Sequence, residues 1–423
     1  MQCKQSSLPK AVFAVLLMTL MLVPGAWAGS KYHVLYNFKG GKDGLRPSAG
    51  LISDATGNFY GVTAGGGEGG GGGCGTVFEL SPAKNGWTQK VLYRFPGNAK
   101  NGCGPYANLT FDAQGYLYGA TALGGRGRCS RRTCGTVFEL TPVGGGRWKQ
   151  TVLHTFAGGS DGEFPSSVVL DAKGDLFGAT GSGGGTCNCG TVFELTPLAG
   201  GGWMETILHS FSGTDGAHPG DLVFDAAGNL YGVTVIGGLY DEGVAFELSP
   251  SSGGGWNEST IYNFQGFLDG AGPDGGLTFA GPNLYGATIV GGTGDWGTVF
   301  ELTPGSNGSW THTVLYSFTG GKDGRYPFSP FIFDKSGNLY GSTSGDVSCL
   351  HNNRWGCGNV FELIPESGGQ WKFQVLHTFP GGSRGADPSS PVFGGNGGLF
   401  GVAAGGGNLR CPYGCGVAFE LMP

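Results

Sequence analysis

Short apolar runs recur along the whole chain between glycine-rich polar stretches, and inside each run apolar and polar positions alternate. A period of two is the signature of half-buried β-strands, and the intervening glycines mark turns. One period, from Pro105 to Phe156, contains Leu109-Thr-Phe-Asp, an Ala-Gln-Gly turn, Tyr116-Leu-Tyr-Gly-Ala-Thr, a glycine loop, Gly135-Thr-Val-Phe-Glu-Leu-Thr, a second glycine loop, and Trp148 to Phe156. This predicts four antiparallel strands, the first two joined by a tight turn that Asp112 closes with its side chain and Gly115 completes in a left-handed conformation.

Three strings repeat in fixed order. Phe-Glu-Leu begins at Phe78, Phe138, Phe193, Phe246, Phe300, Phe361 and Phe419, with spacings of 53 to 61 residues. An aromatic-Gly-x-Thr string begins at Tyr60, Tyr118, Phe177, Tyr231, Tyr285 and Tyr340, and at Phe400, where Ala403 replaces the threonine. A third string ends at Phe38, Phe95, Phe156, Phe211, Phe264, Phe318 and Phe379. Seven repeats of four strands predict an all-β fold, a single seven-bladed β-propeller of four-stranded antiparallel blades. The repeat opens on an isolated fourth strand, Tyr32 to Phe38, and ends after a third strand, Gly416 to Leu421, so the N-terminal strand is expected to complete the last blade.

Ahead of the repeats, Lys4 and Lys10 precede an apolar run from Ala11 to Val23, followed by Ala26-Trp27-Ala28. Residues 1–28 therefore read as a cleaved secretory signal, leaving 29–423 as the propeller. No comparable apolar run follows, so no membrane span is expected, and the mature chain is assigned to the periplasm or the exterior. The 90 glycines and 22 prolines would suggest low complexity in an aperiodic chain; here they fall between strands. A formal charge of −6, or −8 without the signal, argues against nucleic acid as a partner. A monomer is expected.

The strings Leu284-Tyr-Gly-Ala-Thr, Gly297-Thr-Val-Phe-Glu-Leu-Thr-Pro304, Val314-Leu-Tyr-Ser-Phe and Gly320-Gly-Lys-Asp-Gly resemble the GloVer-type tandem-repeat family, a choice-of-anchor group, over nearly all of the mature chain. The resemblance implies an exported repeat protein and carries no catalytic residues. Family members have varied C-terminal anchors; this chain stops directly after a strand, so no anchor is expected.

A residue that recurs in every blade serves the blade, whereas catalysis needs a group once. On that ground Glu79, Glu139, Glu194, Glu247, Glu301, Glu362 and Glu420 read as structural carboxylates held by hydrogen bonds. His154, His209 and His377 share a strand position with Tyr36, Tyr93, Tyr262 and Tyr316, and this position is expected to donate a hydrogen bond to a neighbouring glutamate or backbone carbonyl. Trp87, Trp148, Trp203, Trp256, Trp310 and Trp371 are expected to cover the outer hairpins, with a sugar platform as the alternative.

Variation concentrates on one face, formed by the loops from strand two to three and from strand four to the next blade. Ten mature cysteines in an exported chain suggest disulfides: Cys129 with Cys134, Cys187 with Cys189, Cys349 with Cys357, Cys411 with Cys415, and Cys74 with Cys103 across two adjacent loops. The single residue between Cys187 and Cys189 makes that pair the most strained. Zinc is the alternative, although five separate blades cannot bring all these thiolates to one ion. Asp43, Asp161, Asp215, Asp269 and Asp323, each followed by glycine, either close turns or hold calcium; no other cofactor is evident. The residues that break the repeat, and hence the candidate ligand-binding set, are His351, Asn353, Arg354, Trp355, Trp296, Tyr240, Tyr413, Arg128 and Arg131. They suggest a non-catalytic binding or scaffold propeller for a glycan, peptide or surface polymer, with a polysaccharide lyase or glycoside hydrolase as the alternative.

Overall fold

The computed structural model describes residues 30–68, 72–97, 100–125, 129, 134–345, 358–408, 410–411 and 413–423. Seven antiparallel sheets form the blades of a β-propeller. Blades one to six span 45–94, 103–155, 163–210, 217–263, 271–317 and 325–378 in chain order, innermost strand first. Blade seven combines 386–422 with Lys31–Asn37, which pairs antiparallel with Gly414–Met422 in the register Tyr32 to Leu421 and Tyr36 to Ala418. The N-terminal strand thus closes the ring as the repeat register requires. The innermost strand is continuous in blades three and six and split in two elsewhere, as in Leu45–Pro47 and Ile52–Ser53.

The repeated strings have a common physical origin. Each Phe-Glu-Leu phenylalanine is fully buried and meets, edge to face, the phenylalanine that ends the outer strand of the preceding blade. All seven pairs, from Phe38–Phe78 to Phe379–Phe419, have centroids 5.0–5.5 Å apart and ring planes at 64–68°. Such a pair contributes about 0.5–1.5 kcal/mol beyond the burial of its rings. The glycine of the aromatic-Gly-x-Thr string lies under the same ring: a Cβ on Gly119 would stand 2.7 Å from Phe138 Cζ and 2.8 Å from Leu109 Cδ2.

A second repeated contact joins neighbouring blades. The glycine that opens each third strand sits at positive φ against the innermost-strand proline of the next blade; a Cβ on Gly135 would lie 2.4 Å from Pro165 Cδ, and one on Gly416 2.4 Å from Pro47 Cδ. Threonine pairs such as Thr121–Thr136 share a buried hydroxyl contact of 2.9 Å. In blade seven the pair becomes Ala403 facing Val417, so the missing threonine is matched by an apolar partner.

The strand glutamates are structural, as their repetition indicates. Glu139 accepts a hydrogen bond from Tyr118 Oη (3.1 Å), Glu301 from Tyr285 (2.6 Å) and Glu362 from Tyr340 (2.8 Å). The tryptophans do more than cover their own hairpins: Trp203, Trp256, Trp310 and Trp371 pack on Tyr118, Phe177, Tyr231 and Tyr285 of the preceding blade.

The Tyr/His position has a different partner from the one expected. Tyr36, His154, Tyr262 and Tyr316 bond the inter-blade aspartate seven residues later (Asp43, Asp161, Asp269, Asp323), and His209 bonds Asp215, at 2.7–3.1 Å. Each aspartate also accepts a backbone N–H from its own loop, as from Lys39 to Asp43 (2.7 Å), so it closes the turn. His377 breaks the rule because Arg384 replaces the aspartate. Its ring stacks on Tyr32 at 4.1 Å, and its Nε2 has no hydrogen-bond partner.

Two expectations follow. Phe38→Ala removes one member of the closing pair and should lower the unfolding free energy by about 3–5 kcal/mol; a loss below about 1 kcal/mol in urea denaturation would show that the ring does not depend on this seam. Burial, with a further push from Arg384, lowers the His377 pKa to about 4. The neutral ring is therefore favoured in the folded state, and its contribution, complete above the unfolded value near 6.5, is lost as pH falls towards 4. Melting temperatures measured from pH 7 to 4 should fall less in His377→Phe than in the parent.

Candidate functional site

Four cysteine pairs tie the variable face: Cys74–Cys103 joins loops of blades one and two, and Cys129–Cys134, Cys187–Cys189 and Cys411–Cys415 each close a single loop. The expected Cys349–Cys357 pair, the loop residues His351, Asn353, Arg354 and Trp355, and Arg128 and Arg131 lie outside the described residues. Trp296, Tyr240 and Tyr413 lie inside them.

The innermost strands begin at this face, and there a second, more regular set of variable residues appears. The residue before each inter-blade proline adopts a left-handed backbone in all seven blades: Arg46, Gly104, Phe164, His218, Gly272, Tyr326 and Asp387, with φ between 52° and 65°. Geometry forces this, because the backbone N–H must turn towards the preceding blade; Gly104 N donates to Cys74 O (2.9 Å), Phe164 N to Cys134 O (2.8 Å) and Tyr326 N to Trp296 O (3.0 Å). Glycine takes this conformation freely, whereas Phe, Tyr or Arg there costs on the order of 1–3 kcal/mol. Five blades nonetheless carry a side chain, and no two carry the same one.

The ring gathers the sequence candidates into sectors. Tyr413 stands with Arg46 and Asp387 around a cavity of about 410 Å³. Burial pushes the Asp387 carboxyl up to about 6, against the Ser344 hydrogen bond that lowers it. Trp296 packs against Tyr326 (centroids 5.8 Å), and the Arg325 guanidinium lies 5.3 Å from both rings. Tyr240 is exposed beside Leu239, while the following inter-blade loop exposes Phe267 and Leu268 at 90 % and 67 %. The structure therefore sets Tyr413 beside Arg46 and Asp387, sets Trp296 against Tyr326, and leaves Tyr240 exposed apart from both.

Below the mouth, the channel is crossed by a polar chain. Gly50 N donates to Asn108 Oδ1 (2.8 Å), Asn108 Nδ2 to Asp221 Oδ2 (3.1 Å), and Asp221 N to Gly275 O (3.0 Å), linking blades one, two, four and five. Two cavities of about 360 and 460 Å³ share Asn108 and Pro330 as a wall. Burial pushes the Asp221 carboxyl up to about 6; Asn108 lowers it and the Asp274 carboxylate raises it. Asn108 and Asp221 stand at one register position of their blades, immediately before Leu109 and Leu222, where the other blades carry Gly50, Ser167, Gly276, Pro330 and Ser390.

Sequence reasoning missed Arg46, Phe164, His218, Tyr326, Asp387 and the channel acids. One signal was present: a proline recurs at Pro47, Pro105, Pro165, Pro219, Pro273, Pro327 and Pro388, preceded by glycine twice and by five different residues elsewhere. The left-handed conformation that aligns those residues is not written in their identities.

Solved structures share the fold at low identity. The periplasmic gluconolactonase of Pseudomonas aeruginosa is 15% identical, covers 86% of this chain and 99% of its own, and superposes with a TM-score of 0.53. An extracellular domain from B. thetaiotaomicron is 11% identical, covers 93% of this chain and 40% of its own, and gives 0.53. A gluconolactonase from Xanthomonas campestris, 16% identical over 73% of this chain and 82% of its own, gives 0.41. No curated protein matches the chain by sequence. The Gloeobacter/Verrucomicrobia repeat family matches at residues 25–184, 127–282 and 219–423, and with every blade accounted for by that repeat the chain belongs to this family.

Proposed function

We propose that the protein is a secreted or periplasmic binding propeller that takes a glycan segment at the channel mouth. The observation that carries this reading is the ring of seven left-handed positions, alike in backbone, of which five carry a side chain and no two the same one. Strain retained in five of the seven blades, where glycine would relieve it, marks side chains kept for contact. The ring and its neighbours supply what a polyhydroxylated ligand needs: Arg46 and Asp387 on one cavity for directed hydrogen bonds, and Tyr413, Tyr326 and Trp296 for the apolar faces of sugar rings. Disulfides beneath the loops fix the face before binding and suit an oxidising compartment. Among the described residues no helix is long and apolar enough to cross a membrane.

Hydrolase or lyase chemistry is the second reading, and Asp221 favours it. A channel carboxyl with a pKa near 6, unrepeated and hydrogen-bonded by Asn108, has the protonation behaviour of a general acid or base.

A glycan array and a peptide library, probed with the mature protein, separate these readings. Binding to glycans is expected, and Arg46→Gly and Tyr326→Gly should each weaken it at least tenfold without lowering the melting temperature, because blades two and five already carry glycine at that position. Full affinity in both variants would remove the ring from the site; selection of peptides alone would replace the ligand class. Release of new reducing ends from a bound glycan, abolished in Asp221→Asn, would establish the catalytic reading.

A further inference from the structure

The Tyr/His–Asp lock has a third member, supplied by the outer strand of the next blade: a glutamine at two junctions, a glutamate at two, and His312, Phe373 and Tyr32 at the others, His312 Nδ1 lying 3.0 Å from Asp269 Oδ1. Blades one and two contribute Gln89 and Gln150, which close their junctions with neutral hydrogen bonds: Gln89 Nε2 donates to Asp43 O (3.3 Å) and Gln150 Nε2 to Asn101 O (2.8 Å). At two adjacent junctions the tyrosine becomes histidine, the aspartate stays, and the glutamine becomes glutamate. The sets are His154, Asp161 and Glu205, and His209, Asp215 and Glu258. In each, one donor atom from each residue lies within 4.8 Å of the others.

A structural lock does not need that change. One imidazole Nε2 faces two carboxylates, 3.0 Å from Asp161 Oδ1 and 3.6 Å from Glu205 Oε1, and the side chains are only 14–21 % exposed. Glu205 Oε1 is buried and has no hydrogen-bond partner. Two carboxylates held together away from water repel unless a proton or a cation lies between them, and an unpartnered carboxylate oxygen is costly. A cation among the three donors relieves both. The spacing fits: metal–ligand distances of about 2.0–2.1 Å in a tetrahedral site place donors about 3.3–3.4 Å apart, and the observed 3.0 and 3.6 Å bracket that value. At the second junction His209 Nε2 lies 3.0 Å from Asp215 Oδ2. The third histidine, His377, tests the correlation within the chain: its aspartate is replaced by Arg384 and its neighbour is Tyr32, a set with no anionic donor, and its ring stacks instead.

We infer that the junctions between blades two and three and between blades three and four are a pair of divalent transition-metal sites, each with one imidazole nitrogen and two carboxylate ligands. The nitrogen donor selects zinc-like ions over calcium and magnesium, which prefer oxygen alone. Three protein ligands leave one coordination position for water or for an oxygen atom of a ligand.

The chain supplies its own control, because Tyr36–Asp43–Gln89 is a metal-free form of the same junction. Mature, non-reduced protein is stripped with EDTA and titrated with ZnCl2 by calorimetry, with CaCl2 in parallel. The expected result is two zinc equivalents, falling to one in His154→Tyr/Glu205→Gln and to none, at least 100-fold weaker, when His209→Tyr and Glu258→Gln are added, with the metal-free melting temperature unchanged. The assignment is overturned by the absence of zinc binding at about 100 μM, a stoichiometry that the substitutions do not alter, or a preference for calcium.

Discussion

One contact sets the rest of the structure: the edge-to-face meeting of a third-strand phenylalanine with the phenylalanine that ends the outer strand of the blade before it. Because it joins two blades, no blade can bury its own phenylalanine, and the contact is satisfied everywhere only in a closed ring. The neighbouring features follow from it. The second-strand glycine is bare because the ring lies on it, and the third-strand glycine is bare because the next blade's proline comes to the same edge. What reads in the sequence as a family of short motifs is a single packing problem solved seven times, with the N-terminal strand supplying Phe38 to the last solution.

The fold was legible because strand period, turn residues and repeat register all describe this packing, and each is local. The disulfide pairs were legible for the same reason: Cys129 and Cys134, or Cys411 and Cys415, are close in the chain, and the Cys74–Cys103 pair needed only knowledge that two loops share a face. The candidate site was read less well. Tyr413 and Trp296 stood out as aromatic exceptions in loops, but Arg46, Phe164, His218, Tyr326 and Asp387 looked like ordinary residues before prolines. Their alignment comes from a backbone turn imposed by the adjacent blade, a non-local constraint. The Tyr/His partner was misread similarly: the strand glutamate seemed the nearer acid, whereas the blade's twist carries the ring towards the loop aspartate, and Glu139 is taken by Tyr118.

Rigidity and variation are separated along each innermost strand. The proline and the backbone hydrogen bond fix where the preceding residue sits whatever its side chain, as Gly104 and Gly272 demonstrate. The residue at this position therefore varies from blade to blade on one backbone. The polar chain through Asn108 and Asp221 crosses the channel between blades two and four, and two cavities share Asn108 as a wall.

The seam in blade seven shows what kind of object this ring is. Lys31 pairs with Met422, nearly the full length of the chain apart, yet the edge-to-face phenylalanine contact that this strand makes matches those at the other six junctions. The position of the chain ends is thus a property of connectivity and not of packing: a circular permutant that joined the present ends and opened within another blade's outer loop would inherit the same seven junctions in a different order of synthesis.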